Sequence, residues 1–345
     1  MDIIKTLEKL SGMSGPSGFE RSAMLVARTL LEPLMDEVWS DRMGNLIGVR
    51  RCGLPHAKKL LLDAHLDEIG LMVTGHQDGF LRFRSIGGVD PRMLPDRELT
   101  ILTEPPRLGV VACLPPHVLT AEDTEKAPAI DEMYVDTGLS QSRAVEEIPI
   151  GTPMVFRDSF TRLGERQVCG KAMDDRSCFV ALLRTVELLQ DEMLDVDLYV
   201  MGSTREEVSG AGATVGVQTI LPDFCVAVDV THARTPDSHN DHTSILGEGP
   251  VVGIGPNMTR WMTDRMLNWA AELNLPVQKE VMAGSSGTNG WYMQICHEGI
   301  PTAVLSLPVK YMHTPVEVLE LGDLENMAQL LAAFVRDLGK EVDAQ

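Results

Sequence analysis

Apolar residues recur with helical spacing at Ile3, Ile4, Leu7 and Leu10, and again at Met24, Leu25, Ala27, Leu30 and Leu31. Positions three and four apart share one helix face, so the pattern predicts two opening helices. Ser14-Gly15-Pro16-Ser17-Gly18 separates them. Residues 46–49 and 59–64 then read as strands, the second an unbroken apolar run of the kind buried on both faces of a sheet. Between residues 71 and 160 the texture changes to short strand-like pieces, at 71–73, 99–102 and 110–113, punctuated by Gly, Pro and Asp, which predicts a β-rich insertion. Afterwards strand and helix alternate: helix at 179–189, strand at 196–202, helix at 212–220, strand at 224–230, helix at 267–273, strand at 302–307 and a closing helix at 324–338. That alternation predicts an α/β fold, a mostly parallel central sheet flanked by helices. Residues 1–70 and 161–345 would form one discontinuous domain, with 71–160 inserted as a small β-barrel-like domain.

Composition narrows the function. At 345 residues, with 44% hydrophobic and 23% charged, the chain is an ordinary globular protein with room for a substantial core. Fifty Asp and Glu against thirty Lys and Arg give a formal charge of -20, which repels phosphate backbones and anionic lipid, so neither nucleic acid nor a membrane is expected as partner. No apolar run reaches the ~20 residues of a membrane helix, and the first ten residues are amphipathic rather than signal-like. A cytoplasmic location is therefore expected. The six cysteines lack a Cys-x-x-Cys pair and read as reduced packing residues.

In an open α/β sheet, ligands collect beyond the carboxyl ends of the strands. Here the polar residues at those ends are Asp63, His65 and Asp67; Glu206 and Glu207; Asp229; and His313, with Asp174 and Asp175 at a strand-to-helix junction. Each alone has an ordinary explanation: a loop histidine, a solvated glutamate pair, a helix cap. Jointly, five junctions deliver only His and carboxylate, the ligand set of zinc, cobalt or manganese. The segment with His232, His239, Asp241 and His242 reads as a polar loop near the mouth of such a site.

The ordered motifs Ser14-Gly15-Pro16-Ser17-Gly18-Phe19-Glu20, Asp41-Arg42-Met43-Gly44-Asn45, Ala64-His65-Leu66-Asp67-Glu68-Ile69-Gly70, Gly87-Gly88-Val89-Asp90, Lys171-Ala172-Met173-Asp174-Asp175-Arg176, Glu206-Glu207-Val208 and Tyr311-Met312-His313 resemble the tetrahedral aminopeptidases. That cytosolic metallopeptidase family includes glutamyl and deblocking aminopeptidases, and some of its members carry the label endoglucanase. The resemblance implies two divalent ions per subunit, zinc first, with cobalt or manganese as alternatives. Asp174 would be shared by both, His65 and Asp229 completing one set and Glu207 and His313 the other. Glu206 would be the general base, and Asp67 would hold the far nitrogen of His65. The resemblance also implies a cis Asp174–Asp175 peptide, short peptides as substrate, and dimers formed through the inserted domain that assemble into a dodecamer.

Four positions depart from that family's pattern: Arg205 for Gln, Ser209 for Gly, Cys178 for Gly and Asn289 for Asp. The cation gained at Arg205 and the carboxylate lost at Asn289 both change the charge a substrate would meet, and Arg205 implies a bias towards acidic side chains. Competing functions are a two-metal N-acyl amino acid deacylase or carboxypeptidase, or an inactive assembly protein. A glycosidase needs two carboxyls facing each other across a sugar, ~5–9.5 Å apart, which neighbouring Glu206 and Glu207 do not offer.

Overall fold

The structure is a computed structural model, and it describes residues 1–118, 126–239 and 243–338. Helices α1 (Ile3–Ser11) and α2 (Arg21–Leu31) lead into strands β1 (Glu37–Ser40), β2 (Leu46–Arg50) and β3 (Lys58–His65). The chain then builds β4 (Gly70–Gln77), β5 (Phe80–Ile86), β6 (Glu98–Ile101), β7 (Arg107–Ala112), β8 (Tyr134–Asp136), α3 (Gln141–Glu147) and β9 (Pro153–Phe156). It continues through β10 (Thr161–Leu163), β11 (Gln167–Gly170), α4 (Met173–Leu188), β12 (Val196–Ser203), α5 (Glu206–Ser209), α6 (Ala211–Ile220) and β13 (Phe224–His232). Last come β14 (Val251–Ile254), α7 (Arg260–Glu272), β15 (Gln278–Val281), α8 (Gly290–Met293), β16 (Thr302–Val309), β17 (Glu317–Glu320) and α9 (Leu321–Leu338).

Eight strands form the central sheet in the order β1-β2-β12-β3-β13-β16-β14-β15. Its middle is parallel, β12 with β3, β3 with β13 and β13 with β16, as the strand–helix alternation predicts. Antiparallel pairing begins at β2 on one side and at β14 on the other. The continuous apolar run of β3 has a direct cause: Leu60 and Leu62 pack into the core beneath α4 and α9, while Leu61 packs into the opposite core beneath α6. Each such side chain contributes about 1.5–3 kcal/mol on full burial.

Strands β4 to β9 close into a barrel in the order β4-β5-β8-β7-β6-β9, with a core of its own that includes Leu71, Phe83, Leu99, Val111 and Val135. A third, three-stranded sheet, β10-β11-β17, joins the start of α4 to the segment after β16. Helix α7 begins seven residues before the periodic stretch seen in the sequence, because Met262, Thr263, Met266 and Ala270 supply its buried face. The six cysteines are unpaired. Among the described residues no helix is long and apolar enough to cross a membrane.

Candidate active site

Strand register brings the first three groups together. His65 ends β3 opposite Ser203 of β12, and Asp63 stands opposite Ala227 of β13. Two residues further along β3 and β13 are His65 and Asp229, so both project from the same face at the same level. Glu206 and Glu207 follow β12 and open α5, after a sharp turn in which Arg205 has φ 58°. Asp174 and Asp175 open α4 across a cis peptide bond. His313 lies in the turn between β16 and β17.

The distances define one connected centre. His65 Nε2 is 3.1 Å from Asp174 Oδ1 and 4.0 Å from Glu206 Oε2. His313 Nε2 is 3.3 Å from both Asp174 Oδ2 and Glu207 Oε2. The two oxygens of Asp174 thus face different imidazoles. Potential ligand atoms of His65, Asp174 and Glu207 lie within 4.8 Å of one another, and so do those of His65, Asp175 and Asp229. Asp175, which sequence reasoning left outside the ligand set, therefore belongs to the cluster, and its Oδ2 accepts the His65 main-chain N–H at 3.0 Å.

Charge in this centre is crowded. Burial raises Glu206 to about 7, helped by repulsion from Asp174 and Asp67 and opposed by His65. Burial also pushes Glu207, Asp229 and Asp175 well above the carboxylate range, with added repulsion from Asp174 on Glu207, from Glu206 on Asp229 and from Asp229 on Asp175. Burial acts the same way on Asp174, but the bonds from His313 and His65 outweigh it and hold that carboxyl below its ordinary range. Among the described residues Asp175 Oδ1 is buried with no hydrogen-bond partner. A set of buried carboxylates and two imidazoles, short of positive charge and with an orphaned oxygen, fits divalent cations of the zinc, cobalt or manganese type.

Asp67 is the residue expected at the far nitrogen of His65, and the supports beyond it escaped sequence reasoning. The Nδ1 of His65 is held by the main-chain carbonyl of Asp67 at 3.1 Å, with the carboxylate at 3.4 Å. The Asp67 carboxylate accepts the N–H groups of Glu206 and Glu207, at 3.1 and 3.2 Å, and the hydroxyl of Ser17. Beside it Glu68 takes Lys171 Nζ at 2.7 Å and Arg176 Nη2 at 3.1 Å, all three fully buried, which ties the His65 segment to the Asp174 segment. The barrel contributes as well: the Gly88 carbonyl is 3.0 Å from His313 Nδ1, which places Nε2 towards Asp174 and Glu207. Gly88 has no room for a side chain, since a Cβ there would stand 2.7 Å from His313 Nδ1. Gly88→Ala is expected to displace the imidazole and lower kcat/KM by about 10–100-fold, the range for losing a group that orients a ligand. Steady-state kinetics beside an unchanged circular dichroism spectrum check this.

The positions that depart from the family pattern separate into two kinds. Arg205 lines a cavity of about 320 Å³ with Gly18, Phe19, Glu20, Arg21 and Met24. Its guanidinium touches Met43 Sδ at 3.5 Å. Asn289 does not face a substrate: it is 2% exposed and donates to Asp63 Oδ2 at 2.8 Å and Ser203 Oγ at 2.9 Å. The carboxylate lost there changes a buried contact on the same sheet face as His65, two residues back along β3, and not an exposed charge. Cys178 is buried beside Asp175, and Ser209 is exposed at the end of α5. In the polar segment, His232 ends β13 and is exposed, while Asp241 and His242 lie outside the described residues.

Imidazoles and carboxylates gathered at the strand ends of an α/β sheet form the donor set of a divalent-metal site. The sequence model of the M42 glutamyl aminopeptidases matches residues 44–330, and the chain belongs to that family. It is accordingly a peptide-bond hydrolase of the aminopeptidase type, from a family that implies a divalent metal. It is 35% identical to lysyl aminopeptidase of Pyrococcus furiosus over 339 residues, 96% of each chain. Among solved structures, aminopeptidase APDkam598 of Desulfurococcus kamchatkensis superposes with a TM-score of 0.90 at 32% identity, covering 99% of both chains. The TET1 peptidase of Pyrococcus horikoshii, which can assemble into a tetrahedron or a large octahedral shell, gives 0.86 at 28% identity, covering 97% of this chain and 100% of that one. The resemblance read from the motifs is thereby borne out.

Proposed function

We propose that the chain removes N-terminal residues from short peptides at a centre of two divalent ions, zinc first, with cobalt or manganese as alternatives. The observation that carries this reading is Asp174, whose two carboxylate oxygens meet His65 and His313 separately. Asp174 would be shared, with His65 and Asp229 on one ion and Glu207 and His313 on the other. Such ions supply Lewis acidity, making water acidic near neutral pH and polarising a carbonyl.

Glu206 does the proton work. It adjoins Glu207 in sequence, and its carboxyl, raised by burial to about 7, is poised to take a proton at neutral pH. It accepts the proton of the attacking water as oxygen adds to the scissile carbonyl carbon, and delivers it to the amine nitrogen as the C–N bond breaks. Asp67 fixes the main chain of Glu206 and Glu207, which keeps base and ligand from exchanging places. Peptides with a free amine should be cleaved and their N-acetylated counterparts spared; the reverse preference would turn the reading to a deacylase.

Arg205 favours acidic substrates in this reading. Its guanidinium has no carboxylate at ion-pair distance among the described residues and lines the cavity one residue from Glu206. A charge-assisted hydrogen bond is worth roughly 1.5–3 kcal/mol, or about 10–100-fold in kcat/KM. The expected result is a Glu-over-Gln preference of that size in aminoacyl substrates, which Arg205→Gln reduces to near one.

The barrel would mediate self-association in a cytoplasmic homo-oligomer, with dimers assembling to a dodecamer. Leu108 and Val110 on β7 and Ile150 beside β9 are exposed, at 52%, 39% and 67%, which suits a surface that meets another copy. The assembling TET1 relative supports the same reading.

A further inference from the structure

One buried acid close to the centre has no part in the chemistry above. Glu317, the first residue of β17, is 2% exposed and stands opposite Gly170 in the β11–β17 pair. Its carboxylate meets three main-chain N–H groups. Oε2 accepts from Met173 at 2.7 Å and Asp174 at 3.1 Å, and Oε1 accepts from His313 at 2.9 Å.

These donors need an acceptor from elsewhere in the chain. Met173 and Asp174 open α4, where N–H groups have no partner within the helix. Asp174, at φ -73° and ψ 105°, also departs from helical geometry, so the first turn does not close on itself. His313 has φ 62°, a region sparsely populated by residues with a side chain. It sits in a turn in which the Thr314 hydroxyl donates to Tyr311 O at 2.6 Å and accepts from Val316 N at 3.2 Å. One carboxylate therefore fixes the main chain at two residues, 139 positions apart in sequence, whose side chains approach to 3.3 Å.

We propose that Glu317 is a positioning residue. By holding the main chains of Asp174 and His313 in fixed relation, it sets the affinity of the centre for the divalent ion that Asp174, Glu207 and His313 would hold. This rests on the reading of those three as ligands. The carboxylate suits the task because it presents one acceptor oxygen to each segment. An amide of the same shape has a single acceptor oxygen and an NH2 group, so in Glu317→Gln one segment faces a donor in place of its acceptor. Aspartate keeps the charge but is one methylene shorter and does not span both segments.

The test is zinc titration of the full-length chain, stripped of metal and folded, in competition with a chromophoric chelator, beside thermal melting of the same metal-free preparations. Glu317→Gln is expected to weaken one zinc-binding step by about 10–100-fold, as is usual when a group orienting a ligand is lost. Glu317→Asp should weaken the same step to a smaller extent, and it carries the test by itself if the glutamine variant does not fold. A residue with only a structural part would lower the melting temperature and leave the zinc affinity of the folded chain unchanged. Zinc affinity within twofold of the unsubstituted chain in every variant that folds would overturn the proposal while leaving the metal centre standing. Failure of the unsubstituted chain to take up zinc would instead overturn the centre itself, and this role with it.

Discussion

Glu206→Gln is expected to lower kcat by about 10²–10⁴-fold, the span of general acid–base catalysis, with little change in bound metal. The amide has nearly the same shape, so the main-chain bond from Glu206 N to Asp67 Oδ1 is untouched. What it loses is the ability to accept a proton. Burial and the repulsion of Asp174 and Asp67 oppose the charge on Glu206 and outweigh the attraction of His65 at 4.0 Å, so the neutral amide removes a net cost. The variant should therefore be at least as stable as the parent. Metal analysis and melting curves, run beside single-turnover kinetics, separate this result from a collapse of the site. A variant that lost its metal together with its turnover would make Glu206 a ligand and leave the base unassigned.

The second large effect is at Asp174. Asp174→Asn leaves one side-chain oxygen where two are used, and places an NH2 group against either His65 or His313. The negative charge that balances both imidazoles disappears as well. Turnover should fall by at least about 10²–10³-fold, the equivalent of several kcal/mol of lost Lewis-acid stabilisation, and bound metal should fall in parallel. The contrast with Glu206→Gln is informative: one variant separates turnover from metal content and the other removes both. Equal metal content in the Asp174→Asn protein would mean that the ligands are drawn from Asp175 instead, which also lies within reach of His65 and Asp229.

Much of this architecture is readable from one sequence because burial on two faces imposes a simple pattern. The three leucines of β3 feed cores on opposite sides of the sheet, so the strand is apolar without interruption and ends abruptly in polar residues. The same rule exposes Glu206, Glu207 and Asp229. Edge strands give no such signal: β1 and β15 are four residues long and at most half-buried, and their sequences Glu-Val-Trp-Ser and Gln-Lys-Glu-Val resemble loops. Contacts through the main chain are equally silent. Nothing local to Gly88 announces that its carbonyl meets an imidazole 225 residues away, and nothing at Glu317 announces the N–H of Asp174. Asn289 shows the opposite failure: a change of charge stood out in the sequence, but the side chain is buried against Asp63, beneath His65, and not exposed.

Metal-assisted attack at the peptide bond next to a free amine is the central step. The most direct measurement is release of N-terminal residues from a panel of free-amine peptides and aminoacyl-nitroanilides, by the chain stripped of metal and then supplied with zinc, cobalt or manganese, with Glu206→Gln alongside. Turnover is expected to be lost on stripping, to return with added metal, and to stay low in the variant. Turnover that survives complete metal removal, or silence across the panel from a chain carrying its full metal content, would contradict that step.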